Sequence, residues 1–356
     1  MAYKIAIAIK AIALLVILII LTKILVPQSR TTWRRNKART SDLGPDPHWE
    51  LEPNHQRNKV HSTLHSTLVP EMLQNTTLLI IINTAPSDFE KRNTLRKTWA
   101  KQSSWKFAAN ASSSLSDSGG IVNITYFFTM GFDGYSSIDE GVESESRFHK
   151  DILRVNLRET YRLLVTKTLL TFKWVTTLDI KPLFIAKAND DVYVKVPELA
   201  TLLKTYSSSP RKLYAGLVRR NSQVHRDILN PWYVSKEDYK EDVYPPFCLE
   251  PFYLFSLDLF LDVVNASKVN TPFPVEDAYM GYLVQKIGVE PLDTGMDLFN
   301  ANRGLDRTIL DTPENKLNVP SGIVLGDLLS SAAINLIHRV YTRSSLTKAT
   351  KGLMSR

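Results

Sequence analysis

The chain has 356 residues, 44% of them hydrophobic, and it carries a net charge of +8. Residues 1–40 contain eight Lys or Arg and no acidic residue, which leaves 36 basic against 36 acidic side chains in the remainder. A nucleic-acid-binding protein would carry its basic excess on the folded body, so the neutral remainder of this chain disfavours that class. The length is sufficient for one large α/β domain with additional segments.

The most apolar segment runs from Ile5 to Val26 and reads IAIAIKAIALLVILIILTKILV. A helix needs about 20 apolar residues to cross a bilayer, so this segment is long enough to be a membrane anchor. A cleaved signal peptide is the alternative, but no small-residue cleavage site follows the segment. We predict a cytosolic tail over residues 1–4, an uncleaved signal-anchor over residues 5–26 and a flexible, polar stem over residues 27–75.

Two features disagree about the side of the membrane on which the rest of the chain lies. More Lys and Arg follow the anchor than precede it, which by the positive-inside rule keeps the C-terminal part in the cytosol. Four N-x-S/T sequons indicate the lumen instead, and they lie at Asn75, Asn110, Asn123 and Asn265. The single cysteine, Cys248, excludes an intrachain disulfide and leaves the compartment open.

Strands and helices are predicted to alternate after the stem. Runs of strand-forming residues predict strands over residues 78–83, 124–131, 183–188 and 213–218, and a further strand that leads into a helix within residues 244–264. Helical spacing of apolar residues predicts helices over residues 88–101, with Asp88 as N-cap, and over residues 144–178, 196–206 and 275–289. This alternation predicts an α/β fold with a mostly parallel central sheet.

Two adjacent carboxylates follow the predicted strand 183–188, in the sequence Asn189, Asp190, Asp191. In open α/β sheets, ligands bind outside the carboxyl ends of the strands. Like charges repel each other unless a positive charge lies beside them, and carboxylate oxygens are preferred ligands of Mg²⁺ and Mn²⁺. The pattern indicates either a divalent-cation site or a solvated turn between two strands.

Two arginines lie one turn apart on the first predicted helix. Arg92 and Arg96 share a helix face, and Trp99 follows a turn later. Paired guanidinium groups near a helix start are suited to binding phosphate. The alternative is a solvated basic face that Trp99 packs.

The C-terminal third holds two further candidates. Glu276 and Asp277 lie where a loop enters a predicted helix, so one carboxylate is a candidate cap and the other a candidate general base. His338 lies in an apolar stretch, where a structural histidine and a metal ligand are both open. Kinases, dehydrogenases, zinc proteases and serine hydrolases are disfavoured, because their phosphate-loop, HExxH and GxSxG motifs are missing.

Taken in order, these stretches resemble the β-1,3-galactosyltransferase family, which also includes β-1,3-N-acetylglucosaminyltransferases and is glycosyltransferase family 31-like. The resemblance covers roughly residues 76–340. It is carried by LLIIINTAPSDFEKRNTLRKTWA, NITYFFTMGF, ESRFHKDILRVNLRETYRLLVTKT, KANDDVYV, LYAGLV, PWYVS, YPPFC and VEDAYMGYLVQKIGV. The matching residues include Arg92, Arg96, Thr98, Trp99, Asp151, Tyr161, Lys167 and Thr168.

The resemblance implies a single-pass type II Golgi membrane protein, which agrees with the sequons and overrules the charge count. It implies one lumenal, GT-A-like α/β domain over residues 76–342, followed by a tail over residues 343–356. The implied reaction is an inverting, Mn²⁺-dependent transfer of galactose, GlcNAc or GalNAc. The donor is a UDP-sugar, and the acceptor is a hydroxyl of a glycoprotein or glycolipid glycan, which becomes β-1,3-linked.

The resemblance also implies roles for particular residues. Asp191 and His338 are expected to bind the metal, and Asp277 is expected to deprotonate the acceptor hydroxyl. The residues expected to bind the nucleotide-sugar are Arg92, Arg96, Trp99, Lys167, Asn189 and Asp190.

Two departures from the family pattern affect these expectations. Asn189 stands where the family has the first acid of a triplet, so it adds no charge. The run LEPF, residues 249–252, replaces a small, glycine-rich run that allows close backbone approach to a ligand. The alternative function is therefore a catalytically inactive Golgi protein that binds glycans or partner transferases.

Overall fold

The computed structural model describes residues 64–66, 73–101, 123–206, 211–300 and 304–354. The predicted cytosolic tail and anchor, most of the predicted stem and the sequon at Asn110 lie outside these residues. Within them, no helix combines the length and the apolar character that a membrane span requires. The elements below belong to one compact unit, formed by residues 52–227 and 232–356.

Strands and helices alternate through this unit. The strands are β1 (Leu64–Ser66), β2 (Leu78–Asn83), β3 (Ile124–Phe132), β4 (Ile152–Arg158), β5 (Phe184–Asn189), β6 (Tyr193–Val194), β7 (Tyr214–Arg219), β8 (Phe247–Ser256), β9 (Leu292–Asp293), β10 (Phe299–Asn300) and β11 (Val324–Leu325). The helices are α1 (Phe89–Lys97), α2 (Ser136–His149), α3 (Leu164–Val175), α4 (Val196–Tyr206), α5 (Leu257–Ala266), α6 (Glu276–Ile287), α7 (Gly295–Leu298), α8 (Leu305–Asp311) and α9 (Ser331–Met354), with a 3₁₀ turn at Tyr161–Leu163.

The large sheet has the strand order β1-β4-β3-β2-β5-β8-β7-β9. The four adjacent strands β4, β3, β2 and β5 are parallel, and β9 is parallel to β7. Strand β8 is antiparallel to both β5 and β7, and β1 is antiparallel to β4. The α/β prediction is therefore confirmed. The sheet is mixed, and its main parallel part is formed by β4, β3, β2 and β5.

One predicted helix is wrong in its middle part. Residues 144–178 contain the end of α2, then strand β4, then α3. Strand β4 lies between β3 and β1, and its first four residues are buried. In this strand Leu153, Val155 and Leu157 alternate with polar residues, which is the period of a strand, but the run is short and lies between two helical segments, so the predicted helix extended across it.

Two segments differ from the predicted boundaries of the catalytic domain. Strand β1 lies in the predicted stem, yet it pairs with β4 at the edge of the large sheet. Helix α9 continues to Met354, past the predicted start of the tail at residue 343.

The core lies on both faces of the large sheet. Successive residues of a strand point to opposite faces, so Ile80 and Ile81 belong to different apolar clusters. The Ile80 cluster contains residues of α1, α4 and α9, and the Ile81 cluster contains residues of α3, α5 and α6. Helices thus cover both faces and leave the strand ends as the place for polar groups.

Candidate active site

The predicted acidic cluster lies at the carboxyl ends of two adjacent parallel strands. The last residues of β2 and β5, Asn83 and Asn189, are register partners. The next residues, Thr84 and Asp190, are joined by a hydrogen bond in which the Thr84 hydroxyl donates to Asp190 Oδ2 at 2.7 Å. This is the edge where open α/β sheets bind their ligands.

The positive charge beside Asp190 is a lysine of helix α1. The Nζ atom of Lys91 lies 3.0 Å from Asp190 Oδ1 and 3.1 Å from Asp88 Oδ2. Asp88 occupies the N-cap position of α1 as predicted, but its side chain makes no capping hydrogen bond. The carboxylate of Asp88 instead shares Lys91 with Asp190.

Asp191 has different surroundings from its neighbour. Its Oδ1 atom is buried and accepts no hydrogen bond from any described residue. Burial raises the pKa of Asp191 to about 7, and the charges of Asp190, Asp327 and Glu250 act in the same direction, while Lys91 lowers it. A buried carboxylate oxygen without a partner, among other carboxylates, fits a ligand of a divalent cation.

The protein donors around Asp191 are few. Residues 64–66, 73–101, 123–206, 211–300 and 304–354 include no group of three or more His, Cys, Asp or Glu side chains placed to hold a metal ion. Sites for Mg²⁺-like cations commonly use one or two carboxylates and complete the coordination with substrate phosphates and water. The carboxylate of Asp191 is available as one protein ligand of such a cation.

The backbone around Asp191 is fixed from two sides. The indole N–H of Trp99 donates to the carbonyl of Val192 at 2.8 Å. The backbone N–H of Leu329 donates to the carbonyl of Asp191 at 2.9 Å. Trp99 is buried, so its observed contact holds the turn that carries Asp191. Its predicted contact with a nucleotide stays a prediction.

His338 contacts a residue two positions after Asp191. Its Nδ1 atom lies 3.0 Å from the Tyr193 hydroxyl, and burial together with Lys101 lowers its pKa. From the C-terminal part of the chain, Asp327 is the group whose charge acts on Asp191. The metal-binding role of His338 stays a prediction.

The two predicted phosphate-binding arginines are engaged inside the protein. Arg92 is fully buried, and its guanidinium makes a two-pronged contact with Glu145, with Nε donating at 2.9 Å and Nη2 at 2.7 Å. It also donates to the carbonyl of Ala85 at 2.6 Å. Arg96 bonds Glu145 at 2.6 Å and Asp151 at 2.7 and 2.8 Å. These bonds tie α1 to α2 and to the start of β4.

Lys167 supports the loop that follows β2. Its Nζ atom donates to Glu159 Oε1 at 2.6 Å and to the carbonyl of Thr84 at 3.3 Å. Thr84 in turn bonds Asp190. Lys167 therefore lies next to the strand ends, and its predicted role toward the nucleotide-sugar is open to test.

Asp277 lies at the start of α6 and is held by backbone donors. Its Oδ1 atom accepts from the N–H of Ala278 at 2.8 Å, and its Oδ2 atom accepts from the N–H of Glu250 at 3.2 Å. Burial, followed by the charges of Glu250 and Glu276, raises the pKa of Asp277 to about 7, while the two backbone N–H groups lower it. A carboxylate whose pKa lies near neutrality is suited to be a general base.

A buried lysine connects two acidic clusters, one formed by Asp190 and Asp191 after β5 and the other by Glu276 and Asp277 at the start of α6. Lys187, on β5, is fully buried, forms an ion pair with Glu250 and donates to Asn189 Oδ1 at 2.9 Å. Glu276 Oε2 lies 3.7 Å from its Nζ, and Glu276 Oε1 accepts from the Tyr253 hydroxyl at 2.5 Å. Burial lowers the pKa of Lys187, but the charges of Glu250 and Glu276 outweigh burial and raise it.

The two clusters form one site. Glu250 bonds Asp277 through its backbone N–H, and its charge acts on both Asp277 and Asp191. Lys187 links Glu250 to Asn189 at the end of β5. The arrangement is able to bind a cation or a diphosphate at one end and to accept a proton at the other.

Several residues of this site were not predicted from the sequence. In the sequence, Glu250 belongs to the LEPF run that departs from the family pattern, and Lys187 belongs to the stretch KANDDVYV that matches it; neither residue is predicted to have a role. The others are Lys91, Glu276 as a partner of Lys187, and Asp327. Their partners are distant in sequence, so spacing carries no signal for them.

Comparison with known proteins agrees with the resemblance of the sequence motifs. The chain is 28% identical over 215 residues to mouse beta-1,3-galactosyltransferase 1, which is 60% of this chain and 61% of that protein. It is 30% identical over 219 residues to Xenopus laevis lactosylceramide 1,3-N-acetyl-beta-D-glucosaminyltransferase B, which is 60% of this chain and 55% of that protein. Among solved structures, the WbbM bifunctional glycosyltransferase aligns over 76% of this chain and 52% of its own, with a TM-score of 0.39 and 9% identity.

A family match covers the central residues of the described site. The family model described as Galactosyltransferase matches residues 90–294, which is more than half of the 356 residues. The match includes Lys91, Lys187, Asp191, Glu250 and Asp277. The chain belongs to the galactosyltransferase family.

Proposed function

We propose that this protein is a UDP-sugar glycosyltransferase that moves a hexose to a glycan hydroxyl in β-1,3 linkage with inversion, on a GT-A-like fold. The observation that carries the proposal is the single site in which Asp191 has an unpartnered buried oxygen and Asp277 has a pKa of about 7. Asp191 is suited to binding the cation that stabilises the diphosphate leaving group. Asp277 is suited to deprotonating the acceptor hydroxyl.

The donor end of the site lies at the strand ends of β2 and β5. When bound beside Asp191, Mn²⁺ supplies positive charge that stabilises the diphosphate leaving group. Lys91 and Thr84 hold Asp190 by hydrogen bonds, so this carboxylate is available as a fixed acceptor for the donor's hydroxyl groups. Asn189 adds an amide next to it without adding charge.

The acceptor end of the site is Asp277. In its ionised form it accepts the proton of the attacking hydroxyl, and the N–H groups of Glu250 and Ala278 keep its carboxylate in one orientation. A single displacement with inversion needs one base and no protein nucleophile. The buried, partnered environment of Cys248 agrees with this, since burial raises its thiol pKa well above the usual range.

The names of the relatives indicate the substrate class. One relative is named a beta-1,3-galactosyltransferase and another a lactosylceramide 1,3-N-acetyl-beta-D-glucosaminyltransferase. The chain spans less than two thirds of the length of each. We therefore propose galactose, GlcNAc or GalNAc as the donor sugar and a glycoprotein or glycolipid glycan as the acceptor.

We further propose that the protein is a single-pass type II Golgi membrane protein with its catalytic domain in the lumen. The apolar segment of residues 5–26, the sequons and the family membership support this location. The inactive alternative rested on the LEPF run. In the structure Phe252 is part of the core, and Glu250 bonds Lys187; no contact among the described residues favours the alternative.

A donor screen tests the proposed function. The 356-residue chain is incubated with UDP-galactose, UDP-GlcNAc or UDP-GalNAc and a mixture of glycan acceptors, and released UDP is measured with Mn²⁺ or with a chelator. We expect release that depends on acceptor and Mn²⁺ for one donor and falls by about 10²–10⁴-fold in Asp277→Asn. A folded protein that binds UDP but releases none from any donor would contradict the transferase proposal.

A further inference from the structure

Glu250 occupies the run that departs most from the family pattern. It lies in β8, two residues before Phe252, which pairs with Ala188 of β5. Its side chain is 20% exposed and reaches the buried Lys187. The residue therefore faces the strand end that carries Asn189 and Asp190.

The amino group of Lys187 requires a negative partner. The side chain is fully buried, and an unpaired charge in such a position strongly destabilises a folded protein. Among its contacts, Glu250 is the close carboxylate, and Glu276 Oε2 is more distant at 3.7 Å. Asn189 accepts a hydrogen bond from Lys187 at 2.9 Å but contributes no charge.

The two departures from the family pattern therefore meet at one atom. Asn189 stands where the similar family has an acid, and Glu250 stands where it has a small, glycine-rich run. Both contact Lys187 Nζ. Of these two contacts, the negative charge comes from Glu250 on the neighbouring strand β8 and not from residue 189.

The same residue also reaches the candidate base. The backbone N–H of Glu250 donates to Asp277 Oδ2 at 3.2 Å. A shift of β8 at this point would move the partner of Asp277 as well as the partner of Lys187.

We propose that Glu250 is a positioning residue of the active site, whose carboxylate neutralises and orients Lys187 in place of a charge at Asn189 and whose backbone amide fixes the carboxylate of Asp277. The role toward Asp277 rests on the proposed transferase function, whereas the charge exchange with Asn189 does not. The LEPF run is then an active-site element and not an obstruction.

A double-mutant cycle tests the charge exchange without any activity. Thermal unfolding is measured for the wild-type chain, Glu250→Gln, Asn189→Asp and the double variant. Glu250→Gln is expected to lower Tm because Lys187 loses its close carboxylate. Asn189→Asp is expected to lower or not change Tm alone, since it adds a third carboxylate, but to raise Tm in the Glu250→Gln background.

The control is an exposed glutamate of the same chain. Glu290 is 79% exposed, and its nearest ion-pair partner, Arg220, lies 4.0 Å away. Glu290→Gln is expected to leave Tm unchanged alone and to leave the effect of Asn189→Asp on Tm unchanged when the two are combined. Additive effects of Asn189→Asp and Glu250→Gln on Tm would overturn the charge exchange. If Glu250→Gln does not fold, a double variant that also does not fold would overturn it as well.

A pH–rate profile tests the role toward Asp277. The charge of Glu250 raises the pKa of Asp277, so Glu250→Gln is expected to move the acid limb of kcat/KM to lower pH and to lower kcat by about tenfold. Besides Glu250, the titratable groups close enough for an electrostatic interaction with Asp277 are Tyr161, Lys187, Tyr214, Tyr244, Cys248 and Glu276.

The outcomes separate the two proposals. A kcat that stays at the wild-type value in Glu250→Gln would overturn the positioning of Asp277, because the loss of the Lys187 partner would then not have moved the backbone amide that holds its carboxylate. An acid limb that stays in place would overturn the action of the Glu250 charge on Asp277. A wild-type chain without transfer would contradict the proposed function, while the unfolding cycle would still decide whether Glu250 replaces the charge at residue 189.

Discussion

At the level of single residues, the two carboxylates after β5 are adjacent in sequence but differ in their partners. Asp190 accepts hydrogen bonds from Thr84 and Lys91, so its charge is balanced inside the protein. Asp191 keeps a buried oxygen without a partner and has a pKa raised to about 7. This difference identifies Asp191 as the candidate ligand of a cation and Asp190 as a fixed acceptor.

The first prediction concerns Asp191. Asp191→Asn is expected to weaken Mn²⁺-dependent binding of UDP by about a hundredfold, because a neutral amide replaces a charged ligand. The fold is expected to persist, since the substitution also removes repulsion from Asp190. The measurement is titration calorimetry of UDP with and without Mn²⁺. The control is Asp311→Asn, at an exposed aspartate paired with Arg307; equal UDP affinity in both variants would remove Asp191 from the metal site.

The second prediction concerns Asp277. Asp277→Asn is expected to preserve UDP binding and to lower the transfer rate by about 10²–10⁴-fold, the contribution typical of a general base. In the wild type the rate is expected to fall as the pH is lowered through about 7, because protonated Asp277 accepts no proton. Transfer at the wild-type rate in the variant would exclude Asp277 as the base.

The raised pKa of Asp277 also makes the free energy of unfolding depend on pH. Between the unfolded pKa of 3.8 and the folded pKa of about 7, the folded state binds a proton that the unfolded state does not. The stability contributed by this proton is lost as the pH rises through about 7. The free energy of unfolding of Asp277→Asn, relative to wild type, is therefore expected to increase from pH 5 to pH 8, as followed by urea unfolding.

At the level of secondary-structure elements, the arginines of α1 connect helices instead of facing solvent. Arg92 and Arg96 converge on Glu145 of α2, and Arg96 also reaches Asp151 before β4. These contacts fix the position of α1, which carries Lys91 to Asp190 and Trp99 to Val192. Through these contacts within the protein, the two arginines help to position the helix that supports the site.

The third prediction tests this support. Arg92→Leu is expected to lower the free energy of unfolding by about 3 kcal/mol, because it removes one partner of a buried ion pair. The control is Arg147→Leu, whose side chain is 64% exposed in a pair with Glu143 and is expected to cost less than about 0.5 kcal/mol. Chemical denaturation gives both values. Unchanged stability with a loss of UDP affinity in Arg92→Leu would instead support direct nucleotide binding.

At the level of the whole molecule, the sequons distinguish between the two orientations of the chain in the membrane. Asn265 is exposed at the end of α5. Asn123 has a buried Oδ1 atom, and its Nδ2 atom donates to the carbonyl of Asn75 at 3.0 Å. The two asparagines therefore differ in accessibility, although both sequons read alike in the sequence.

The fourth prediction follows from this difference. In a secretory cell we expect a glycan on Asn265 and none on Asn123, because Asn265 is exposed, whereas Asn123 is half-buried and its Nδ2 atom is engaged with the carbonyl of Asn75. Asn265→Gln is expected to remove one glycan from the mass spectrum, and Asn123→Gln is expected to remove none. A membrane-inserted chain without a glycan on Asn265 would argue against the lumenal location.

The sequence alone determined the α/β class, because strands such as Leu78–Asn83 and helices such as Val196–Tyr206 are specified by local periodicity. It also determined the family, and it pointed to Asp191 and Asp277 through motifs of contiguous residues. Whether those two residues act as predicted is decided by experiment.

Only the tertiary structure decided the strand identity of Ile152–Arg158, the antiparallel course of β8 and the partners of the charged residues. The alternating run of β4 is short and lies between two helical segments, and the direction of a strand depends on its connections through space. Lys91 with Asp190, and Lys187 with Glu250, are pairs of residues 99 and 63 positions apart. Electrostatic interaction depends on distance in space, so the sequence carries no local signal for such pairs.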